Sequence, residues 1–177
     1  MAITIKTQDQ IEKMRVAGGI LIDLIDILEE MIKPGVTTDE LDKVAEDFIR
    51  SRGAEPSFLG YGGYPKTLCT SVNEEIVHGI PSSRKLKNGD IISIDMGAYI
   101  NGYHGDCART YGVGEISEAD RKLIEVTRQS FFEGIKFAKA GNHLYEISAA
   151  VQEYAESFGF GVVRDYVGHG IGRNMHE

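Results

Sequence analysis

The sequence predicts an α+β fold in which a helix–helix–strands unit begins to repeat, and three features carry that reading. Two amphipathic helical stretches open the chain. Short alternating strands rich in turn residues follow. A second helical pair then echoes the first at a constant offset of 106 residues.

The first helix is expected over 8–31. Ile11, Met14, Ala17, Leu21, Leu24, Ile25 and Leu28 recur there at the spacing of one buried face. Lys33-Pro34-Gly35 breaks the pattern. The next helix starts near Thr38, with Thr37 or Thr38 as cap, and runs through Leu41, Val44, Ala45, Phe48 and Ile49 to a stop at Gly53. Over 54–110 short apolar stretches alternate with Gly, Pro, Asn and Ser, the texture of strands and turns. The clearest strand pair is 90–100 with 103–111, and helical pattern returns over 119–139 and 143–157.

Lys33-Pro34-Gly35 matches Lys139-Ala140-Gly141, Glu40-Leu41 matches Glu146-Ile147, Phe48 matches Tyr154 and Gly53 matches Gly159. A run of matches without a gap points to duplication. Two amphipathic helices also resemble one another simply because each buries a face. In the first unit 57 residues separate Gly53 from Tyr111, whereas only 18 follow Gly159. The second unit is therefore expected to be unfinished, and 1–177 to be a single domain whose carboxyl-terminal part is missing.

A chain of 177 residues with 42% hydrophobic and 26% charged content can bury a sizeable core. Its net charge of -8 discourages non-specific binding to nucleic acid or anionic membrane. MAITIKTQDQIEKMRVAGG lacks the basic-then-apolar order of a signal peptide, and the GILIDLIDIL run is too short to span a bilayer. A cytoplasmic protein is expected. Cys69 and Cys107 form no CxxC and no disulfide framework.

The chemistry concentrates in DMGAYINGYHGD, residues 95–106. Asn101-Gly102 is a strong two-residue turn signal, which sets Ile100 opposite Tyr103 and Gly97 opposite Asp106. Asp95 then shares a face with Asp106, the two being diagonal neighbours at most roughly 7–8 Å apart at Cβ. His104 is expected on the opposite face. Two acids on a solvated hairpin are the alternative. Against it, Asp95 is the one charge in ISIDMGAY, and an interior carboxylate needs a partner. Candidate partners are His169 in VGHGIGRNMHE, His176, and His78 between NEEIV and GIP. Oxygen donors plus one imidazole suit Mn, Fe, Co or Zn better than a soft metal. His143, near a helix start, is given a structural role. The glycine-rich GYGGYPKTLC reads as a pocket wall, since it has no phosphate-loop order.

The segments YPKTLCTSVNEEIVHGIP, GDIISIDMGAYINGYHGDCARTYGVG and VGHGIGRNMHE closely resemble bacterial type I methionine aminopeptidases, and the similarity covers essentially the whole chain. That resemblance implies the pita-bread α+β fold, antiparallel sheet and helices in two pseudo-symmetric halves around a metal centre. It implies Asp95, Asp106 and His169 as metal ligands, and His78 and His176 as the histidines at the scissile amide. Tyr61 and Cys69 would line the methionine pocket, and Asn73 lie near an auxiliary Na or K site. It further implies release of the amino-terminal methionine from nascent chains with a small second residue, using two Co, Mn, Fe or Zn ions. Two glutamate ligands would follow beyond Glu177, which is not itself expected to bind metal. Gly62 departs from relatives that carry histidine there. The expected partners are nascent amino termini, with proximity to the ribosome, no nucleic acid and no membrane. The complete protein would be monomeric, and self-association is open to a fragment. A proline-directed aminopeptidase or dipeptidase, or a non-catalytic peptide-binding fragment, are the alternatives.

Overall fold

The computed structural model describes residues 3–177. They divide into two compact units, one running to Ile116 and including His169–Glu177, the other Ser117–Gly168.

In the first unit α1 (Gln8–Met31) starts where Thr7 accepts from the Gln10 amide through its hydroxyl and donates its own amide to the Gln10 side chain at 2.8 Å. The same device starts α2 (Thr38–Ser51). There the Thr37 amide donates to Glu40 Oε2 at 2.7 Å, and the Glu40 amide to Thr37 Oγ1 at 3.2 Å. Thr37 is thus the cap. The Thr38 hydroxyl instead donates to the Ser82 carbonyl at 3.0 Å.

The sheet is antiparallel throughout. Its centre is β3 (Ile91–Ile100), paired along its whole length with β4 (Tyr103–Gly112). Because β4 uses one edge completely, β1 (Glu55–Pro56) and β2 (Leu68–Val72) share the other. The β3–β4 turn has the two positive φ values of a type I′ turn, 56° at Asn101 and 82° at Gly102. The expected register, Ile100 with Tyr103 and Gly97 with Asp106, is the one observed.

Alternation gives β3 two different faces. Ile92, Ile94, Met96 and Ala98 join Leu21, Leu24 and Leu28 of α1 and Leu41, Ala45 and Ile49 of α2 in one core. Ile11, expected on the apolar stripe, is 39% exposed, and the buried face of α1 begins at Ala17. The other face of β3 carries Ser93, Asp95, Gly97 and Tyr99.

The second unit is an α-hairpin of α3 (Glu118–Ile135) and α4 (Leu144–Ser157). The helices approach closely at Gly134, where a Cβ would lie 2.6 Å from a Val151 methyl. Helix α3 stops four residues before the expected end at Lys139. The Ala138 amide turns back to the Ile135 carbonyl at 3.1 Å, and the Asn142 side chain caps Phe137 O. The 106-residue echo extends to local backbone. Gly35 and Gly141 both have φ 97°, and Gly53 and Gly159 have 71° and 83°. The His143 amide donates to Glu146 as the Thr37 amide does to Glu40.

Candidate active site

Strand register builds half of the site before any loop is considered. Asp95 pairs with Cys69 on one side and with Ala108 on the other, and Asp106 pairs with Gly97. Directly opposed residues point the same way, so Cys69, Asp95 and Asp106 share the face turned away from the helical core.

That face is unfavourable for paired charge. Burial pushes the Asp95 carboxyl up to about 7, with the negative charge of Asp106 adding to it. Asp106 is raised as well, again chiefly by burial, with His169 and His176 opposing the shift. Burial also raises the Cys69 thiol to about 11, helped by the charges of Asp95 and Asp106. At neutral pH Cys69 is a neutral, apolar-like wall and not a thiolate ligand.

Loops supply the rest. His169 Nε2 lies 3.6 Å from Asp106 Oδ2, the two side chains being 29% and 24% exposed. Its ring centroid is 4.2 Å from that of His176. His176 Nδ1 is hydrogen bonded to the Tyr61 hydroxyl at 2.8 Å. Tyr61 opens a single 3₁₀ turn, Tyr61–Gly63, in the glycine-rich wall. His78 adopts a left-handed φ of 60°. Beside it the Gly79 carbonyl accepts from the Thr70 amide at 2.7 Å and the Tyr64 hydroxyl at 3.1 Å, which ties that loop to β2.

All seven residues singled out from the sequence, Tyr61, Cys69, His78, Asp95, Asp106, His169 and His176, line one cavity of about 560 Å³. Phe58, Ile80 and Met175 add apolar wall. Among the described residues no three His, Cys, Asp or Glu side chains converge closely enough to hold an ion. The chemistry of the set nonetheless fits a divalent cation. Two carboxylates raised by burial, Asp95 also by the charge of Asp106, stand next to an imidazole, and a cation between them would relieve the cost of burying them.

One expectation is corrected. His104 lies on the same face as Asp106, because residues two apart in a strand return to the same side, and it pairs with Tyr99. Its ring centroid is 4.6 Å from that of Tyr99, and its Nδ1 is 2.9 Å from Ser57 Oγ. Burial lowers its pKa. Counting alternation correctly from Asp106 would have found it.

The sequence matches Metallopeptidase family M24 over residues 12–177. The methionine aminopeptidase of Clostridium acetobutylicum is 60% identical over 99% of this chain and 70% of its own length. The chain belongs to family M24, among its methionine aminopeptidases. The crystal structure of methionine aminopeptidase from Thermotoga maritima matches with a TM-score of 0.97 at 44% identity, covering 99% of this chain and 71% of that one. An Xaa-Pro dipeptidase from Bacillus anthracis has the same fold, with a TM-score of 0.84 at 29% identity over 98% of this chain and 48% of its own. The antiparallel sheet with paired helices is the pita-bread architecture of these methionine aminopeptidases, and the chain is a metallopeptidase by family. No described helix is long and apolar enough to cross a membrane.

Proposed function

We propose that the cavity serves the metal-dependent release of amino-terminal methionine from nascent polypeptides with a small second residue, as one methionine aminopeptidase-like domain acting in the cytoplasm. The observation that carries this reading is that Asp95, Asp106, His169, His176 and His78, the candidates read from the residues, line one cavity together with Tyr61 and Cys69, which the resemblance implied. Asp95, Asp106 and His169 would hold a divalent ion, of the Co, Mn, Fe or Zn type that suits oxygen and imidazole donors. When bound, such an ion supplies Lewis acidity and lowers the pKa of water.

The other roles follow from this chain's own groups. The free α-amino group of a peptide would bind beside the ion held by the carboxylate pair, which confines cleavage to the first residue. Phe58, Cys69, Ile80 and Met175 offer an unbranched thioether side chain an apolar wall, with the thiol uncharged. His176, oriented by Tyr61, and His78 face the position of the scissile amide and donate toward the charge that develops on its oxygen. A large second residue would disturb that alignment. An auxiliary Na or K site near Asn73 and a position close to the ribosome belong to the same reading, as do a monomeric complete enzyme and self-association of a shorter form.

Three donors bind an ion incompletely, so this chain by itself is expected to load divalent metal weakly and to turn over slowly. Metal analysis of the protein with Met-Gly-Met-Met as substrate tests this, and tight two-ion loading with normal turnover would refute it. The likeness to an Xaa-Pro dipeptidase favours a second reading, separated by comparing Met-Ala with Xaa-Pro peptides. Peptide binding without any cleavage would mark a non-catalytic binder.

A further inference from the structure

We propose that Glu177 is a positioning residue whose carboxylate is the pin around which the 170–177 turn is wound, fixing how the His169 and His176 rings meet in the cavity. This rests on reading those histidines as groups of the active site. Glu177 itself is placed among backbone amides and a lysine, with a holding role and not a ligating one.

The turn is closed twice. Its ends pair through backbone, the Gly170 amide donating to Glu177 O at 3.0 Å and the Glu177 amide to Gly170 O at 2.9 Å. The Glu177 side chain then folds back into the loop its own backbone closes. Oε1 accepts from the Arg173 amide at 2.9 Å and the Asn174 amide at 3.3 Å. Oε2 is ion-paired with Lys6 from the segment ahead of α1, and each side chain is 17% exposed. The pair ties the turn to the segment ahead of α1.

The winding leaves no spare room. A Cβ at Gly172 would stand 2.5 Å from Glu177 Oε1, and one at Gly170 would stand 3.1 Å from Glu177 O. The Gly172 carbonyl accepts from the His104 amide at 2.8 Å, which fastens the turn to β4, the strand that carries Asp106. His169 and His176 are the residues immediately outside and inside the two closing positions, and their ring centroids sit 4.2 Å apart. Each ring has a contact of its own, His169 with Asp106 at 3.6 Å and His176 with the Tyr61 hydroxyl at 2.8 Å, but both residues stand on the turn, and the carboxylate holds the turn.

The test compares wild type, Glu177→Gln, Glu177→Ala and Lys6→Met in the metal-free protein, with His169→Ala as control. Proton NMR reads the contact between the His169 and His176 rings, thermal unfolding reads the fold, and titration with Co²⁺ alone reads affinity. Gln keeps an acceptor oxygen for the Arg173 and Asn174 amides, so the ring contact persists in Glu177→Gln and Lys6→Met and is lost in Glu177→Ala. Co²⁺ affinity falls about tenfold or more in Glu177→Ala, the range for groups that orient a ligand, and recovers in Glu177→Gln. A persistent ring contact in Glu177→Ala overturns the proposal, as does its equal loss in Glu177→Gln. Should Glu177→Ala not fold, a Glu177→Gln/Lys6→Met double variant that keeps the contact supports the amide pin, and one that loses it overturns it. If the ring contact behaves as expected while His169→Ala binds Co²⁺ like wild type, the reading of His169 as ligand fails and the pin stands.

Discussion

Replacing Asp42 separates the groups that build β2 from those that line the cavity. Asp42 lies on α2, 6% exposed, and one of its oxygens, Oδ1, accepts from both the Thr67 and Leu68 amides at 2.9 Å. These amides introduce β2, whose next residue is Cys69. In Asp42→Ala both buried N–H groups lose their acceptor, at about 1–3 kcal/mol each. Removal of a carboxylate that is itself costly to bury offsets part of this, leaving a net loss of about 3 kcal/mol. That is a large share of the roughly 5–15 kcal/mol holding a domain, and at about 2–4 °C per kcal/mol it lowers Tm by about 6–12 °C. Asp42→Asn behaves differently, because a single amide oxygen can serve both donors. It loses only the charge and its 3.8 Å approach to Lys66, a change of about 1 kcal/mol or less.

The pH dependence separates the two variants further. Burial raises the Asp42 carboxyl above its ordinary 3.8, with the two amides and Lys66 opposing the shift. The folded state therefore prefers the neutral acid. The stability this group contributes is full below the unfolded value and is lost as pH rises through the folded one. Asp42→Asn lacks that loss, so it gains on wild type between pH 4 and pH 7. Urea unfolding of the three proteins across that range, with hydrogen exchange at Thr67 and Leu68, measures both effects. Equal destabilisation by Ala and Asn, or unchanged exchange of the two amides in Asp42→Ala, would refute the reasoning.

Other expectations are more direct. Gly105→Val puts a side chain where even a Cβ would lie 2.8 Å from the Ala17 and Gly18 backbone of α1, so calorimetry should find a loss of at least about 1–3 kcal/mol. Co²⁺ at a hundred times its dissociation constant should stabilise the protein by about 2.7 kcal/mol, be reversed by EDTA, and do nothing for Asp95→Asn or Asp106→Asn. A thermal shift of equal size in those variants would count against the carboxylate pair. Iodoacetamide should alkylate Cys69 at pH 8 roughly a hundredfold more slowly than an ordinary thiol of pKa 9, since its own lies at about 11. Mass spectrometry that finds Cys69 fully labelled under conditions matched to a model thiol contradicts that.

Much of this fold was legible because its strongest signals are local. The threonine cap of α2, the α1 and α2 stripes and the Asn101-Gly102 turn act within a few residues, and each has a specific physical cause. Period-two alternation carried the argument from the turn to Asp95 and Asp106 sharing a face, with no tertiary information required. His104 was misjudged by the same rule wrongly counted. Asp42 was not legible at all. On sequence it is one more acid on an amphipathic helix, and its burial comes from strand amides 25 and 26 residues away. The end of α3 was overestimated because Phe137 continues the apolar spacing while the backbone has already tightened into turn bonds. The Glu177 contact with Lys6 spans 171 residues, a separation at which no local pattern operates.

The two halves of the cavity are held by different forces, and this predicts an order in which they open. Asp95 stands on β3, whose opposite face contributes Ile92, Ile94 and Met96, all fully buried, to the core, and Asp106 stands on β4, whose Cys107 and Tyr111 pack against that core. Shifting either carboxylate to the other face would turn its own strand's apolar residues out of the core, so the core itself enforces the pairing. His169 and His176 stand on a turn secured by a few backbone bonds and one ion pair, with Met175 its buried apolar anchor. Local opening free energies scale with buried apolar contact, so the turn opens without the sheet. Amides of Gly170 and Glu177 should therefore exchange roughly a hundredfold or more faster than those of Ile92 and Ile94, which corresponds to about 3 kcal/mol of difference. Raising ionic strength should widen the gap only slightly, because the Lys6–Glu177 pair is one contact among several amide hydrogen bonds that salt does not screen. Comparable protection in the two regions would mean that the histidines share the sheet's cooperative unit, and that the turn is held by more than its polar clasp.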